Sequence, residues 1–400
     1  LKKKCIFDDL NEAVFKITKD IKKNYLKNTI EGNYINLQKK FSFNFVSKKM
    51  ESLHKKINKF DIKNKNLKYF DLKSDTKENK NIKLYNKFSM LLFNRKKFSN
   101  RSVSIFRKFV KPPYGGGNQF MLALKQQFEK KGITVLNNQV GHYIDAYLFD
   151  SLWFDLNLLK KLKKYKSSKV LHRIDGPIFL YRGKDKELDD KIFDINQEYA
   201  TNTIIQSNYT FSKIIEHGYK PKNPIVIHNA VNSDFFNQEN DICHFNEKIK
   251  IISTSWSDNI MKGAIDYKWL DDNLNFDKID YSFYGRIKVK LNNIKIYDPI
   301  PSINLAKVLK KHHIYITASK NDPCSNALIE AQACGLPAIG KNSGGHPELI
   351  SFGGLLYDDV KHIPKKINEI FLNYNLFRSS INVNSIENVA EHYIRLMFDK

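Results

Sequence analysis

From Val103 onward the chain alternates short apolar runs with helix-length amphipathic segments. That alternation restricts it to folds built on parallel sheets covered by helices. The run Val103–Val110 reads as a strand, and Lys111-Pro112-Pro113-Tyr114-Gly115-Gly116-Gly117 follows it. Asn118–Lys131 then reads as a helix with Phe120, Leu124 and Phe128 on one face, Gly132 ends it, and Ile133–Leu136 is the next strand. Further strands are expected at Tyr143–Phe149, Lys169–Ile174, Thr203–Gln206 and Pro224–His228. Helices are expected at Leu158–Lys164 and from Ser207, an N-cap residue, to about His217. Asn229–Asn246 reads as a link. A second series follows, with strands at Lys248–Ser255, Asp280–Gly285, Ile314–Thr317 and Ala338–Gly340. Its helices fall at Ala264–Asn273, Leu305–Lys311, Asn326–Cys334 and in the tail from Ile363. Two doubly wound α/β domains are therefore expected, at 101–235 and 236–400, with a ligand in the cleft between them.

Net charge constrains the first quarter most. Residues 1–100 hold 26 of the 67 basic residues but only 10 of the 42 acidic ones. Residues 1–58 read as a basic helical extension, and 59–100 as a Lys/Asn-rich linker. The head also parallels the tail: Phe7-Asp8-Asp9-Leu10 matches Tyr357-Asp358-Asp359-Val360, and Ile17 and Leu26 match Ile367 and Leu376 at the same offset. The ordered set reads either as the C-terminal remnant of a preceding, similar domain or as an unrelated extension. The basic excess reads either as a Lys/Asn-rich compositional bias or as attraction to an anionic membrane surface or an acidic acceptor. No signature of a nucleic-acid-binding module accompanies it, so no nucleic-acid partner is expected. No apolar run approaches the roughly 20 residues of a membrane-spanning helix, and the start LKKKCIFDDL reads as no secretory leader. The four cysteines lack metal-binding spacing, and a reducing, cytoplasmic setting is expected.

The most informative stretch is Asn321–Ile350, NDPCSNALIEAQACGLPAIGKNSGGHPELI. Asp322 and Glu330 bracket a helix start with N-cap chemistry at Asp322–Ser325, and Gly335 and Pro337 end that helix. Acids at both ends of a short helix suit a polar ligand, and the backbone N–H groups at its start favour an anion such as phosphate.

With its order and spacing, the chain from about 103 to 400 resembles the GT-B-fold retaining glycosyltransferases of glycosyltransferase family 4, the "glycosyl transferases group 1" type. Five motifs carry the resemblance: the Gly115–Gly117 loop, His172 at a strand end, the turn at Ser207-Asn208-Tyr209-Thr210, the hinge Ile227–Phe236, and the acid-x7-acid stretch running into Gly344-Gly345-His346-Pro347-Glu348. The resemblance implies two Rossmann-like domains facing across a cleft. It implies Glu330 on the nucleotide ribose hydroxyls, Asp322 near the donor sugar, and Cys324, Ser325 and Asn326 as the loop at the diphosphate or sugar. It further implies Lys262, Arg286 and Gly115–Gly117 at the diphosphate, and His172 facing the donor sugar. Arg173 and Asp175 are the alternative polar pair of that loop. Two departures stand out: the family usually has Glu at 322, and often Arg at 257, where this chain has Ser257.

The implied reaction moves a sugar from a nucleotide-sugar donor to a hydroxyl of a sugar, glycan or lipid-linked acceptor, with retention, in cell-envelope polysaccharide or glycoconjugate synthesis. The alternative is an inactive GT-B-like nucleotide-sugar-binding protein. No cofactor or metal is expected, because Asp189-Asp190 and Asp271-Asp272 lie in helix-like or charged runs. The expected location is the cytoplasm, with a peripheral contact at the inner face of the membrane.

Overall fold

A computed structural model describes residues 101–399 except 112–114, 165–167 and 239–247. The extension, linker and head-to-tail parallel expected within 1–100 lie outside the described residues. The first series comprises β1 (Ser102–Phe106), α1 (Gly116–Lys130), β2 (Thr134–Asn137), β3 (Ala146–Asp150), α2 (Asn157–Leu162), β4 (Lys169–Ile174), α3 (Ile178–Arg182), α4 (Lys186–Tyr199), β5 (Asn202–Ile205), α5 (Asn208–Glu216) and β6 (Pro224–Val226). The second comprises β7 (Ile249–Ser255), α6 (Ala264–Asn273), β8 (Ile279–Gly285), β9 (Lys295–Tyr297), α7 (Ser302–Leu309), β10 (Ile314–Thr317), α8 (Asn326–Ala333), β11 (Ala338–Lys341), α9 (His346–Ile350), β12 (Gly354–Tyr357), α10 (Ile363–Leu372), α11 (Tyr374–Ser379) and α12 (Ile386–Phe398).

Each series makes one six-stranded sheet, and every pairing is parallel. The first runs β2-β1-β3-β4-β5-β6; the second runs β12-β11-β10-β7-β8-β9. All residues of β1, β3 and β10 are buried, as sandwiching between two helical layers requires. Strand order reverses between β1 and β3 in the first sheet and between β7 and β10 in the second. Loops that leave strands on either side of such a reversal diverge to opposite faces and open a crevice at the C-terminal strand ends. The two-domain doubly wound architecture is thus present. It also includes β9 and β12, which the apolar pattern does not mark.

The tail divides differently from the expected boundary. Helices α10 and α11 cover the second sheet through Ile363, Ile367, Ile370 and Tyr374. Helix α12 instead crosses back and buries Ile386, Val389, Ala390, Tyr393 and Met397 against α1 and the first sheet, among Phe120, Leu124 and Leu171. The 236–400 segment therefore contributes its last helix to the first domain's core. Gln127 of α1 bonds Glu387 at 3.1 Å, fixing the register of that contact. Ile386 is fully buried there, so Ile386→Ala is expected to cost about 2–5 kcal/mol. Urea denaturation would measure this, and a loss below about 0.5 kcal/mol would contradict the docking of α12.

Candidate active site

Both reversal points carry charged loops, and the helices that follow two of them approach each other at Gly116 and Asn326. After β7 the chain runs through a turn at Ile260–Lys262. After β10 it runs through Ala318–Ser325 into α8. Across this second-domain crevice Lys262 Nζ donates to Asp322 Oδ2 at 2.7 Å. Burial pushes the Asp322 carboxyl up, but Lys262 and then His346 outweigh it and hold the group below its ordinary value. Gly344, at φ 66°, lies under this loop. A Cβ there would stand 2.4 Å from the Asp322 carbonyl oxygen, so only glycine fits.

Helix α8 begins at the cleft. Ser325 Oγ accepts the Leu328 N–H at 3.4 Å, so its hydroxyl serves as the N-cap. The Cys324 thiol is buried, and burial raises its pKa to about 12; it accepts the Asn229 N–H and is no nucleophile. Asn326 faces the start of α1 so closely that a Cβ on Gly116 would lie 2.6 Å from Asn326 Nδ2. Gly115 caps α1 at φ 60°, and Gly117 approaches the Arg107 guanidinium.

Glu330 stands one turn into α8. Gly116, Asn326 and Glu330 line a cavity of about 80 Å3, together with Phe120, Asn232 and Ser302. The Glu330 carboxyl is nine-tenths buried and has no hydrogen bond or ion pair among the described residues. Burial alone raises its pKa to about 8. A buried carboxylate without donors is costly, and from the cavity it can accept hydroxyl or N–H groups of a ligand. Lys262 and Arg286 line a separate small depression, with Arg286 stacked 4.4 Å over Trp256.

The first domain contributes a buried charge cluster. Arg173 bonds Asp150 and Asp175, each at 2.7 Å, and Asn229 at 3.0 Å. Arg107 pairs with Asp150, and burial lowers its pKa to about 10. Asp175 also accepts from Trp153 Nε1 and Gln206. Burial raises its pKa, but Arg173 and Trp153 outweigh that and leave it low. Asn229 Nδ2 hands the network across the cleft to Asn326 Oδ1 at 3.0 Å.

His172 is the residue the structure does not bring to the cleft. It is fully buried on the opposite face of β4, against Phe149. Nε2 contacts Ser151 O at 3.1 Å and Nδ1 contacts Asn196 at 3.4 Å. Burial lowers its pKa to about 4 and keeps it neutral. The cleft position belongs to the alternative pair, Arg173 and Asp175. Asp271 and Asp189 have structural tasks: Asp271 accepts three backbone N–H groups from Asn292, Asn293 and Ile294, and Asp189 accepts those of Ile178 and Phe179.

Glu348 has a larger part than a supporting turn. Reaching across the cleft from α9, it accepts Asn208 N, Tyr209 N and Asn208 Nδ2 at 2.7–3.0 Å. It also meets His228 Nε2 at 3.0 Å. It thereby caps α5 of the other domain, where the helix dipole favours a carboxylate. Burial raises its pKa, but His228 and the Tyr209 and Asn208 amides bring it down to about 2. Asn321 reinforces the closure, accepting from Tyr209 OH and donating to Leu180 O. Trp153, Asn229 and the latching role of Glu348 were not visible in the motifs. Asp150 was findable, since it ends a strand flanking the β1/β3 reversal.

Solved structures share this architecture. Sucrose-phosphate synthase from Thermosynechococcus elongatus superposes with a TM-score of 0.56 at 13% identity, over 75% of this chain and 95% of that one. Anabaena HepE in complex with UDP-glucose gives 0.53 at 12%, over 75% and 95%. WaaG, a glycosyltransferase involved in lipopolysaccharide biosynthesis, gives 0.54 at 11%, over 75% and 100%. The chain therefore has the GT-B fold, two doubly wound domains facing across a cleft. Within it, residues 281–373, which include Asp322, Glu330 and Glu348, match the family model of glycosyl transferases group 1. No curated protein matches the chain in sequence.

Two pH effects follow, of opposite sign. Glu330 has a raised pKa, so its contribution to stability is present below about 4.5 and lost as pH rises through about 8. Glu330→Gln is expected to raise the ligand-free melting temperature at pH 8 and leave it unchanged at pH 4; a lower midpoint at pH 8 would overturn the assignment of an unpartnered carboxylate. Glu348 has a lowered pKa, so its stabilisation is present above about 4.5 and lost as pH falls toward about 2. Glu348→Gln should flatten acid unfolding over that interval, as read by near-UV circular dichroism. An unchanged acid limb would remove Glu348 from the domain contact.

Proposed function

We propose that the protein transfers a sugar from a nucleotide-sugar to an acceptor hydroxyl with retention of anomeric configuration. The observation that carries this reading is the unpartnered Glu330 carboxyl in the cleft cavity, on the helix that follows the Lys262–Asp322 pair of the β7/β10 reversal. Two vicinal ribose hydroxyls supply the two donors that such a carboxylate needs. The diphosphate then falls toward Lys262 and the amides at the starts of α1 and α8, which oppose its charge. Loss of a diphosphate leaving group calls for charge stabilisation more than for an acid. In a front-face attack the leaving phosphate accepts the proton of the acceptor hydroxyl, and the reaction runs without a resident metal or a dedicated protein base. Asp322 holds Lys262 in place until the donor's phosphates compete for it. Closure through Glu348 and Asn229 excludes water, limiting loss of the donor to hydrolysis. A uridine nucleotide is the first donor class to try, as in the HepE complex. We further assign the protein to envelope polysaccharide or glycoconjugate synthesis at the cytoplasmic face of a membrane. The pathway class rests on the likeness to group 1 glycosyl transferases, and the membrane contact on the basic charge.

One observation favours a second reading, a nucleotide-sugar binder without turnover. The residue nearest the sugar is the shorter Asp322, already engaged at 2.7 Å by Lys262. Titration calorimetry with UDP and a panel of UDP-, GDP- and ADP-sugars, followed by a turnover assay, separates the readings. The transferase reading expects nucleotide binding that is lost in Glu330→Ala, with release or transfer of sugar. Because Glu330 is largely protonated at pH 7 and hydroxyl donors favour its ionised form, binding should release close to one proton and tighten as pH rises toward 8. Binding without turnover of any donor would establish the second reading, and wild-type affinity in Glu330→Ala would refute the ribose assignment.

A further inference from the structure

The charge cluster of the first domain opens onto a second group of side chains that the donor site does not use. Trp153 follows β3, at the first sheet's own reversal point. Its backbone is pinned by Asp150 O and Lys108 N, and its indole N–H by Asp175. Over its ring, 5.0 Å from the centroid, lies the Arg182 guanidinium, at the end of α3. The same guanidinium lies 5.9 Å from the Tyr181 ring. Arg182 makes no hydrogen bond among the described residues. Its single carboxylate contact is Asp185, at 3.7 Å. The side chain is 32% exposed. An arginine oriented by two rings, with one long ion pair to Asp185 and no hydrogen bond, keeps most of its planar fork of donors available.

Asp185 at 3.7 Å offsets part of its charge, Asp189 is spent on the Ile178 and Phe179 N–H groups, and the other carboxylates nearby have cations of their own. Asp150 and Asp175 are matched by Arg107 and Arg173, and Asp322 by Lys262. The place is close to the chemistry. The residue two before Arg182, Leu180, accepts the Asn321 amide through its carbonyl, next to Asp322. The Tyr181 hydroxyl has no partner among the described residues.

We propose that Arg182, held against Trp153 and Tyr181, anchors an anionic group, phosphate or carboxylate, on the acceptor substrate. The acceptor is then a sugar or polyol that carries such a group and presents a hydroxyl toward Asp322, with Tyr181 bonding its polar face. The word acceptor rests on the transferase reading; the anion site does not. A planar guanidinium binds either oxyanion in a two-point geometry, which gives orientation as well as affinity.

The test titrates the full chain with glucose 6-phosphate, glucuronate and glucose. Saturating UDP is present, so that the donor's phosphate site is filled. Both anionic sugars are expected to bind roughly tenfold or more tightly than glucose. Arg182→Gln should bring them down to the level of glucose, and Arg182→Lys, which keeps charge but loses the fork, should fall between. UDP affinity should be the same in all three proteins. Equal binding of glucose and the anionic sugars would overturn the proposal, as would anionic binding that survives Arg182→Gln. A fall in UDP affinity in Arg182→Gln would also overturn it, by placing the arginine in the donor pocket. If UDP itself fails to bind, the donor reading fails, and the same titrations without UDP still decide the role of Arg182. Preference between the phosphate and carboxylate arms identifies which oxyanion the acceptor carries.

Discussion

The closed arrangement of this molecule depends on the burial of Arg173. Its guanidinium is 1% exposed and spends its hydrogen bonds on Asp150, Asp175 and Asn229. A charge so placed is tolerable only when each partner is present, because an uncompensated ion in that setting costs several kcal/mol. The requirement runs outward. Asp150 fixes the end of β3, Asp175 fixes the loop after β4, and Asn229 fixes the chain where it leaves the first domain. Asn229 in turn bonds Asn326 and offers its N–H to Cys324. One buried cation thereby sets the position of the second domain's helix α8, and with it Glu330.

Opposite demands meet in that helix. Ser325 caps the helix start, whereas Glu330 is buried with nothing to bond among the described residues. Stability alone would replace it with a neutral residue. A buried carboxyl whose pKa is raised to about 8 is a group that a ligand's hydroxyls can satisfy and ionise. Glu348 is the contrast. It is equally remote from its partners in sequence, yet fully satisfied, and so it acts on domain closure rather than on ligand.

Much of the architecture was legible because strands buried on both faces read as apolar runs, and helices carry their caps and a 3.6-residue period. The alternation located β1 to β8, β10 and β11. Strand β9 escaped because it is only three residues long, Lys295–Tyr297, too short for its apolar residues to read as a strand. β12 opens on Gly354 and carries only three apolar residues, Leu355, Leu356 and Tyr357, too short a run to stand out. The docking of α12 was invisible for a different reason: its apolar face states that it must be covered, not by which sheet. The site was legible where backbone and motif coincide, at Asp322, Ser325 and Glu330. It was not legible at β4, where His172 and Arg173 differ by one position and therefore point to opposite faces. Sequence fixes that parity only relative to a sheet whose faces are already known. Arg182 and Trp153, 29 positions apart, meet only through the crossover that brings α3 over the loop after β3.

The return of α12 to the first domain gives the two halves a pair of covalent links among the described residues, one at the Asn229–Phe236 hinge and one between α11 and α12. Two bodies joined at a single point can swivel in any direction. Joined at two points, they keep one soft motion, rotation about the line through both links. Opening of the cleft is then steered like a door on two pins. Each reclosure returns Glu348 to the α5 terminus and Asn326 to Asn229 in the same register, with no search over orientations.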